Sequence, residues 1–399
     1  MSCMKIHVKK GIPFLLVLSL LMMTVLFSAC KSTPKDPNDP EETEETAEIE
    51  ETPIEHKVGF IYRGFVENSP HNLIIESARG QLERNLGVET YYIEGVLVQN
   101  FMEAVDLLID KGVTIIVSGS HTFSHVIERA ASDNHDIHFI SFGDSSTRMN
   151  MTNFLPLLYQ PANVCGLAAA YNSESEDLGI VADNRMFNCA GVINAYIQGA
   201  KEVQMSHFNT HVNYVSSEND DEIRAAIDYL VGKGIDVIML YTNSDYGIRY
   251  CELIGVKVVA FSGNLPELAP ENYITGFYFN MDSYLTEQVR FIQNDYFIPL
   301  TTVGEMETGH VQVIRLNNNV EEGTADLTDY LYELINTSDK IFEGKITDNF
   351  GTVMVESGVV LSLNDILAID WLDYSVGNNF FDFSTPLPTI DSTPLEIKR

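Results

Sequence analysis

From residue 57 onward, short apolar, β-branched runs alternate with longer stretches in which apolar positions recur at helical spacing. KVGFIY (57–62) precedes a helical stretch over 71–86, VETYYIE (88–94) precedes 99–110, VTIIVSG (113–119) precedes 121–133, and IHFISFG (137–143) closes the series. After a polar connection the alternation restarts: LGIVAD (178–183) before 188–205, HVNYVSS (211–217) before 220–233, IDVIMLY (235–241) before 244–254, then VKVVAFS (256–262). Strands that are apolar on both faces, each followed by a helix, predict parallel sheets covered on both sides, an α/β fold.

The two series also match each other. LLIDKGVTIIVSGS (107–120) lies over YLVGKGIDVIMLYT (229–242) without a gap, and KVGFIY falls over GIVADN (179–184) at the same offset. Two Rossmann-like lobes are expected, the first from 57–150 with 281–300, the second from 151–280. Residues 301–399 are expected to cross between the lobes and finish at the surface. In open parallel sheets, ligands bind beyond the carboxyl ends of the strands. Here those ends carry RGFVENSPHN, SGSHTF, SFGDSS, ADNRMFN, YTNSDY and FSGNLP, all rich in hydroxyl, amide or carboxylate groups. Each segment alone is a turn. Together they suit a polar small molecule, whose donors and acceptors need partners once they leave water.

The first thirty residues read as a secretory signal: Lys5, Lys9 and Lys10, an apolar stretch too short to span a membrane, then Ser28, Ala29 and Cys30. Residues 31–56 hold ten acids, four prolines and no aromatic, the composition of a solvated tether. The formal net charge is −33, which disfavours nucleic acid as a partner. Cys165, Cys189 and Cys251 show neither metal-ligand spacing nor a disulfide framework and read as small buried hydrophobes.

The sequence LFSAC, the opening KVGFIYRGFVENSPHN, the strand end YTNSDYG and the late LSLNDILAIDWLDYSVG (361–377) resemble the basic membrane protein family. These bacterial lipoproteins are substrate-binding components of ABC importers, several of them for purine nucleosides. The resemblance implies a fold like the type I periplasmic binding proteins, lipidation at Cys30, a membrane anchor, an ABC permease as partner, and no catalysis or cofactor. An ordinary cleaved signal is the alternative at Cys30. The family's first stacking aromatic falls on His71, followed by Asn72; its acidic strand-end position falls on Asn264; and its polar residue after the third lobe-two strand falls on Asn243. A second stacking aromatic, expected at 217–218, is Ser217 or Glu218 here, and a position some members fill with Lys or Trp lies near Phe279. Phe65, Phe123, Phe187, Tyr241 and Tyr246 are nearby rings that offer replacement.

Candidate ligand-binding residues are therefore His71, Asn72, Ser120, Asp144, Phe187, Tyr241, Asn243 and Asn264. Each has a structural alternative: helix capping for Asn72, loop pairing for Asp144, core packing for Phe187 and Tyr241. His121 and His125, four apart on an expected helix, lack a third ligand for a metal. GxSxG, P-loop and GxGxxG patterns are absent from the sequence, so the expectation is a binding protein rather than an enzyme, and with no alternating-charge heptad or other oligomer signal, a monomer. A sensor or surface-interaction lipoprotein on the same fold is the other reading.

Overall fold

The computed structural model describes residues 55–143, 146–175, 177–203, 208–261, 263, 265–338, 340–384 and 394–399. In chain order the first half runs β1 (Lys57–Ile61), α1 (Pro70–Leu86), β2 (Glu89–Ile93), α2 (Phe101–Asp110), β3 (Ile115–Ser118), α3 (Ser124–Asp133), β4 (His138–Phe142), β5 (Met151–Pro156) and α4 (Tyr159–Tyr171). It continues with β6 (Leu178–Ala182), α5 (Cys189–Lys201), β7 (Thr210–Tyr214), α6 (Asp220–Gly232), β8 (Val237–Tyr241), α7 (Tyr246–Ile254), β9 (Lys257–Phe261) and β10 (Tyr273–Phe279). Then follow α8 (Asp282–Gln293), β11 (Thr301–Gly304), β12 (Val311–Val313) and α9 (Thr324–Ser338).

The strands form two large sheets with one plan, β11-β5-β4-β3-β1-β2 and β12-β10-β9-β8-β6-β7, the latter extended by Phe380–Asp382 beside β7. The order reflects the internal repeat, with one adjustment. Gly59 pairs with Ile116 and packs under Leu108 and Val113, while Gly179 pairs with Ile238 under Leu230 and Ile235. β3 and β8 thus correspond at the expected offset, but β1 and β6 correspond two residues closer. A two-residue shift keeps every side chain on its own face, which is why pattern matching does not register it.

β5, assigned above with the second lobe, pairs with β4 and β11 in the first sheet. The lobe boundary therefore lies at 156–159, where the chain leaves the first sheet for α4. It returns at 279–282 and crosses again at 304–311. These connections are tied together: Leu157 N–H donates to Gly304 O (2.8 Å), Asn280 N–H to His310 O (2.7 Å) and Met306 N–H to Gln160 Oε1 (3.0 Å).

α4 had no periodic signature because it has no solvent face; every residue from Tyr159 to Ala170 is buried. It crosses α5 backbone against backbone. A Cβ on Gly166 would lie 1.9 Å from Tyr196 O, and one on Gly199 would lie 1.8 Å from Asn163 O. The late segment IDWLDYSVG docks on α5, where buried Asp373 accepts from Lys201 Nζ (2.5 Å) and Gln198 Nε2 (2.9 Å), and Asn194 Nδ2 donates to Trp371 O (2.8 Å). Among the described residues no helix is long and apolar enough to cross a membrane.

Gly166→Ala or Gly199→Ala is expected to lower unfolding stability by about 3 kcal/mol, since neither helix has room to retreat. Gly232→Ala in α6, with no atom within 4 Å of the new Cβ, should be neutral or stabilising by about 0.5 kcal/mol. Urea denaturation of the three variants measures both.

Candidate functional site

The carboxyl ends of the two sheets face each other, and the loop after β1 shows how. Ser69 caps α1 by accepting the Asn72 amide N–H (3.0 Å), with Pro70 in the first helical position, where a missing N–H costs nothing. Asn72 folds the loop back over the helix by donating from Nδ2 to the carbonyls of Arg63 (2.9 Å) and Phe65 (3.3 Å). The rest of the cap comes from the other lobe. Asn243 Oδ1, just past β8, accepts from both Ser69 Oγ (2.8 Å) and the His71 backbone N–H (3.1 Å). Asn243 is itself positioned: its N–H donates to Ser217 Oγ (2.8 Å), and Ser217 N–H donates to Asp183 Oδ2 (3.0 Å).

Beside this polar bridge lies a cluster of rings from both lobes. The His71 ring meets Phe142 edge-on (centroids 4.9 Å apart) and tilts against Phe279 (5.0 Å) and Phe261 (6.3 Å). Phe187 reaches Phe142 (6.2 Å) and His121 (5.6 Å). His71 Nε2 donates to Gly119 O (2.6 Å), so its proton sits on that nitrogen. Burial lowers the pKa of both His71 and His121 to about 4, with the Arg63 guanidinium adding to the effect. Both imidazoles are neutral at pH 7.

A charged group closes the rim. Arg185 donates from Nε to Asp183 Oδ1 (2.8 Å) and from Nη2 to Glu218 Oε2 (2.6 Å), and Glu218 also meets Arg63 of the first lobe at 3.8 Å. Burial works against the Asp183 carboxylate, yet Arg185 holds its pKa below the ordinary value. Among the described residues Arg185 Nη1 and Asn188 Oδ1 are buried with no hydrogen-bond partner, and Asn188 holds a left-handed φ of 48°. A buried unpaired donor is costly, about 1–3 kcal/mol, and an oxygen on a bound molecule would satisfy Arg185.

Of the sequence-predicted residues, His71, Asn243 and Phe187 come together here. Asn72 and Ser120 lie at the same strand ends, but their side chains serve their own turns; Ser120 Oγ accepts from the Thr122 N–H (3.3 Å). Tyr241 is fully buried, its hydroxyl donating to Phe187 O (2.6 Å), so it supports Phe187 from below. Asp144 and Asn264 lie outside the described residues, as does Cys30. Of the other replacement rings, Phe65 is exposed, Phe123 is in the first-lobe core and Tyr246 stacks on Tyr250. His121 sits in the turn before α3 while His125 is exposed on that helix, so the two do not share a helical face. Arg63, Phe142, Arg185 and Phe261 were missed. The two phenylalanines end apolar strands and look like core; the two arginines look like ordinary loop charges.

A family model described as "ABC transporter substrate-binding protein PnrA-like" (Bmp) matches residues 55–341. A purine-binding protein of Brucella abortus is 26% identical over 223 residues, 55% of this chain and 63% of that protein. A Haloferax volcanii protein, provisionally named an ABC transporter glucose-binding protein, is 22% identical over 60% of this chain and 61% of its own length. The chain thus spans less than two thirds of either relative. Among solved structures, an ABC solute-binding protein of Aeropyrum pernix superposes with a TM-score of 0.63 at 12% identity, covering 78% of this chain and 95% of that one. This likeness establishes the fold, that of the type I periplasmic binding proteins.

The two neutral histidines have a pH consequence. Unfolded, each titrates near 6.5; folded, each has a pKa of about 4. The stability they contribute is complete above about pH 6.5 and is lost as pH falls toward 4, because the unfolded chain takes up the protons first. His71→Phe keeps a ring against Phe142 and Phe279 while removing one of these groups. Between pH 7 and 4.5 its melting temperature should fall by several degrees less than that of the wild type. Equal falls would show that His71 is not held neutral by burial.

Proposed function

We propose that this chain, which belongs to the Bmp family of PnrA-like ABC transporter substrate-binding proteins, captures a nucleoside or nucleobase between its lobes and delivers it to an ABC permease. The family is one of binding proteins, not enzymes, so the working step is closure: contacts from both lobes favour the closed state.

The observation that carries this reading is the two-lobed ring cluster framed by hydrogen-bonding groups. Phe142, Phe261 and Phe279 are buried here within the cluster that includes His71 and Phe187, and parting of the lobes would expose faces and edges to a planar solute. Ser69 Oγ, the His71 N–H, Asn243 and Arg185 offer donors and acceptors around its edge. Entry of the solute requires Asn243 to release α1. Each of its two hydrogen bonds is worth about 1 kcal/mol net, so an oxygen on the solute can take over the same donors at little cost. A planar base suits the cluster better than a hexose, since stacking on an aromatic face contributes about 1–3 kcal/mol per base.

At the chain's start, Lys5, Lys9 and Lys10, the apolar stretch and LFSAC support export, removal of the signal and lipidation of Cys30. The acidic segment 31–56 then spaces a monomeric receptor from the membrane. One acyl chain holds a protein only marginally, so stable anchoring needs more than one.

Differential scanning fluorimetry with adenosine, guanosine, nucleobases, hexoses and amino acids tests the solute class. A purine nucleoside or base should raise the melting temperature by several degrees while hexoses do not; a response to hexoses alone would overturn the assignment, and a response to none would favour the sensor or surface-interaction reading. Phe187→Ala should weaken the binding roughly 5- to 150-fold. Cys30→Ser should shift the protein from the membrane fraction to the soluble one and abolish palmitate labelling; unchanged fractionation would refute the lipid anchor.

A further inference from the structure

The crossings at 156–159, 279–282 and 304–311 lie along one side of the molecule, because they leave and enter β5 and β11 of the first sheet and β10 and β12 of the second. The carboxyl-terminal tail joins the sheets at their opposite edges. Phe380–Asp382 pairs in parallel with β7, and Phe383 N–H donates to Tyr214 O (2.7 Å). The last residues belong to the first lobe. Tyr92 of β2 and Lys398 exchange both backbone hydrogen bonds, at 2.9 and 2.8 Å. Leu395 and Ile397 pack against the core under α2 and α3. Lys398 Nζ pairs with Glu94, and Arg399 with Glu89 (3.4 Å).

We infer that the tail is a clasp: residues 394–399, held on the β2 edge, restrain the lobes from opening on the side away from the hinge. The inference rests on the lobe motion proposed above but not on the identity of the solute. The tail lies beyond the residues matched by the family model. Its chemistry suits a releasable contact. Backbone pairing at a sheet edge gives register, two apolar side chains give a small buried area, and the terminal Lys-Arg pair finds acids on a chain with 57 acidic and 24 basic residues. While both ends hold, the ten peptide links from Ser384 to Pro394 limit separation at that edge to about 35 Å.

Small-angle scattering without solute tests the clasp on four forms of the full chain: wild type, Asn243→Ala, a chain ending at Thr393, and the double variant. Asn243→Ala releases the bridge to α1, and the truncation releases the clasp. The double variant is expected to expand by about 1 Å on a radius of gyration of roughly 20 Å, and Asn243→Ala alone by less. Equal radii for these two forms would overturn the clasp. Circular dichroism identifies a truncated chain that has lost its fold. Lys398→Pro, which retains Leu395 and Ile397 but loses the N–H and the ammonium, then takes its place with the same expected expansion and the same overturning result. With no solute present, a failed nucleoside assignment leaves these readings unaffected.

Discussion

One side-chain oxygen ties the two lobes of this molecule together. Asn243 Oδ1, carried on the second lobe, completes the amino-terminal cap of a helix in the first. The first turn of a helix leaves N–H groups without intrahelical partners, and the macrodipole concentrates positive potential there. In α1 one such N–H, that of His71, is aimed at the opposite lobe. Asp183 holds Ser217, Ser217 holds Asn243, and Asn243 holds α1, so the tips of β6, β7 and β8 reach the first lobe through this amide, beside the Glu218–Arg63 contact and the Phe187 ring. Two hydrogen bonds of about 1 kcal/mol net each make a bridge that a competing oxygen can replace.

The rings follow from the same arrangement. With α1 drawn across, the His71 imidazole is pressed among Phe142, Phe261 and Phe279, loses its water and stays neutral. A charged imidazolium at that spot would sit beside Arg63 with no acid of its own among the described residues. Neutrality lets Nε2–H donate to Gly119 O and leaves the ring as an aromatic surface among the phenylalanines.

Much of the fold was legible because strands buried on both faces are apolar throughout and their helices are amphipathic. β1 to β4 and β6 to β9 fall where the pattern puts them. The miss at 151–171 has a physical reason: β5 and α4 are buried on every side, so neither period appears, and the lobe boundary was displaced with them. The site was legible only as a set of polar strand ends. Which of those groups are spent on their own turns, as for Asn72 and Ser120, is decided by loop geometry that composition does not encode. Phe142 and Phe261 escaped notice because a phenylalanine ending a strand beside a cleft has the same local sequence as one beneath a helix.

Hydrogen exchange measured with and without a purine nucleoside tests the account most directly. If the solute binds between the lobes, amides at 69–72 and 119–121 of the first lobe and at 185–188 and 241–243 of the second should slow together. Protection confined to one lobe, or appearing only away from these four segments, would contradict it.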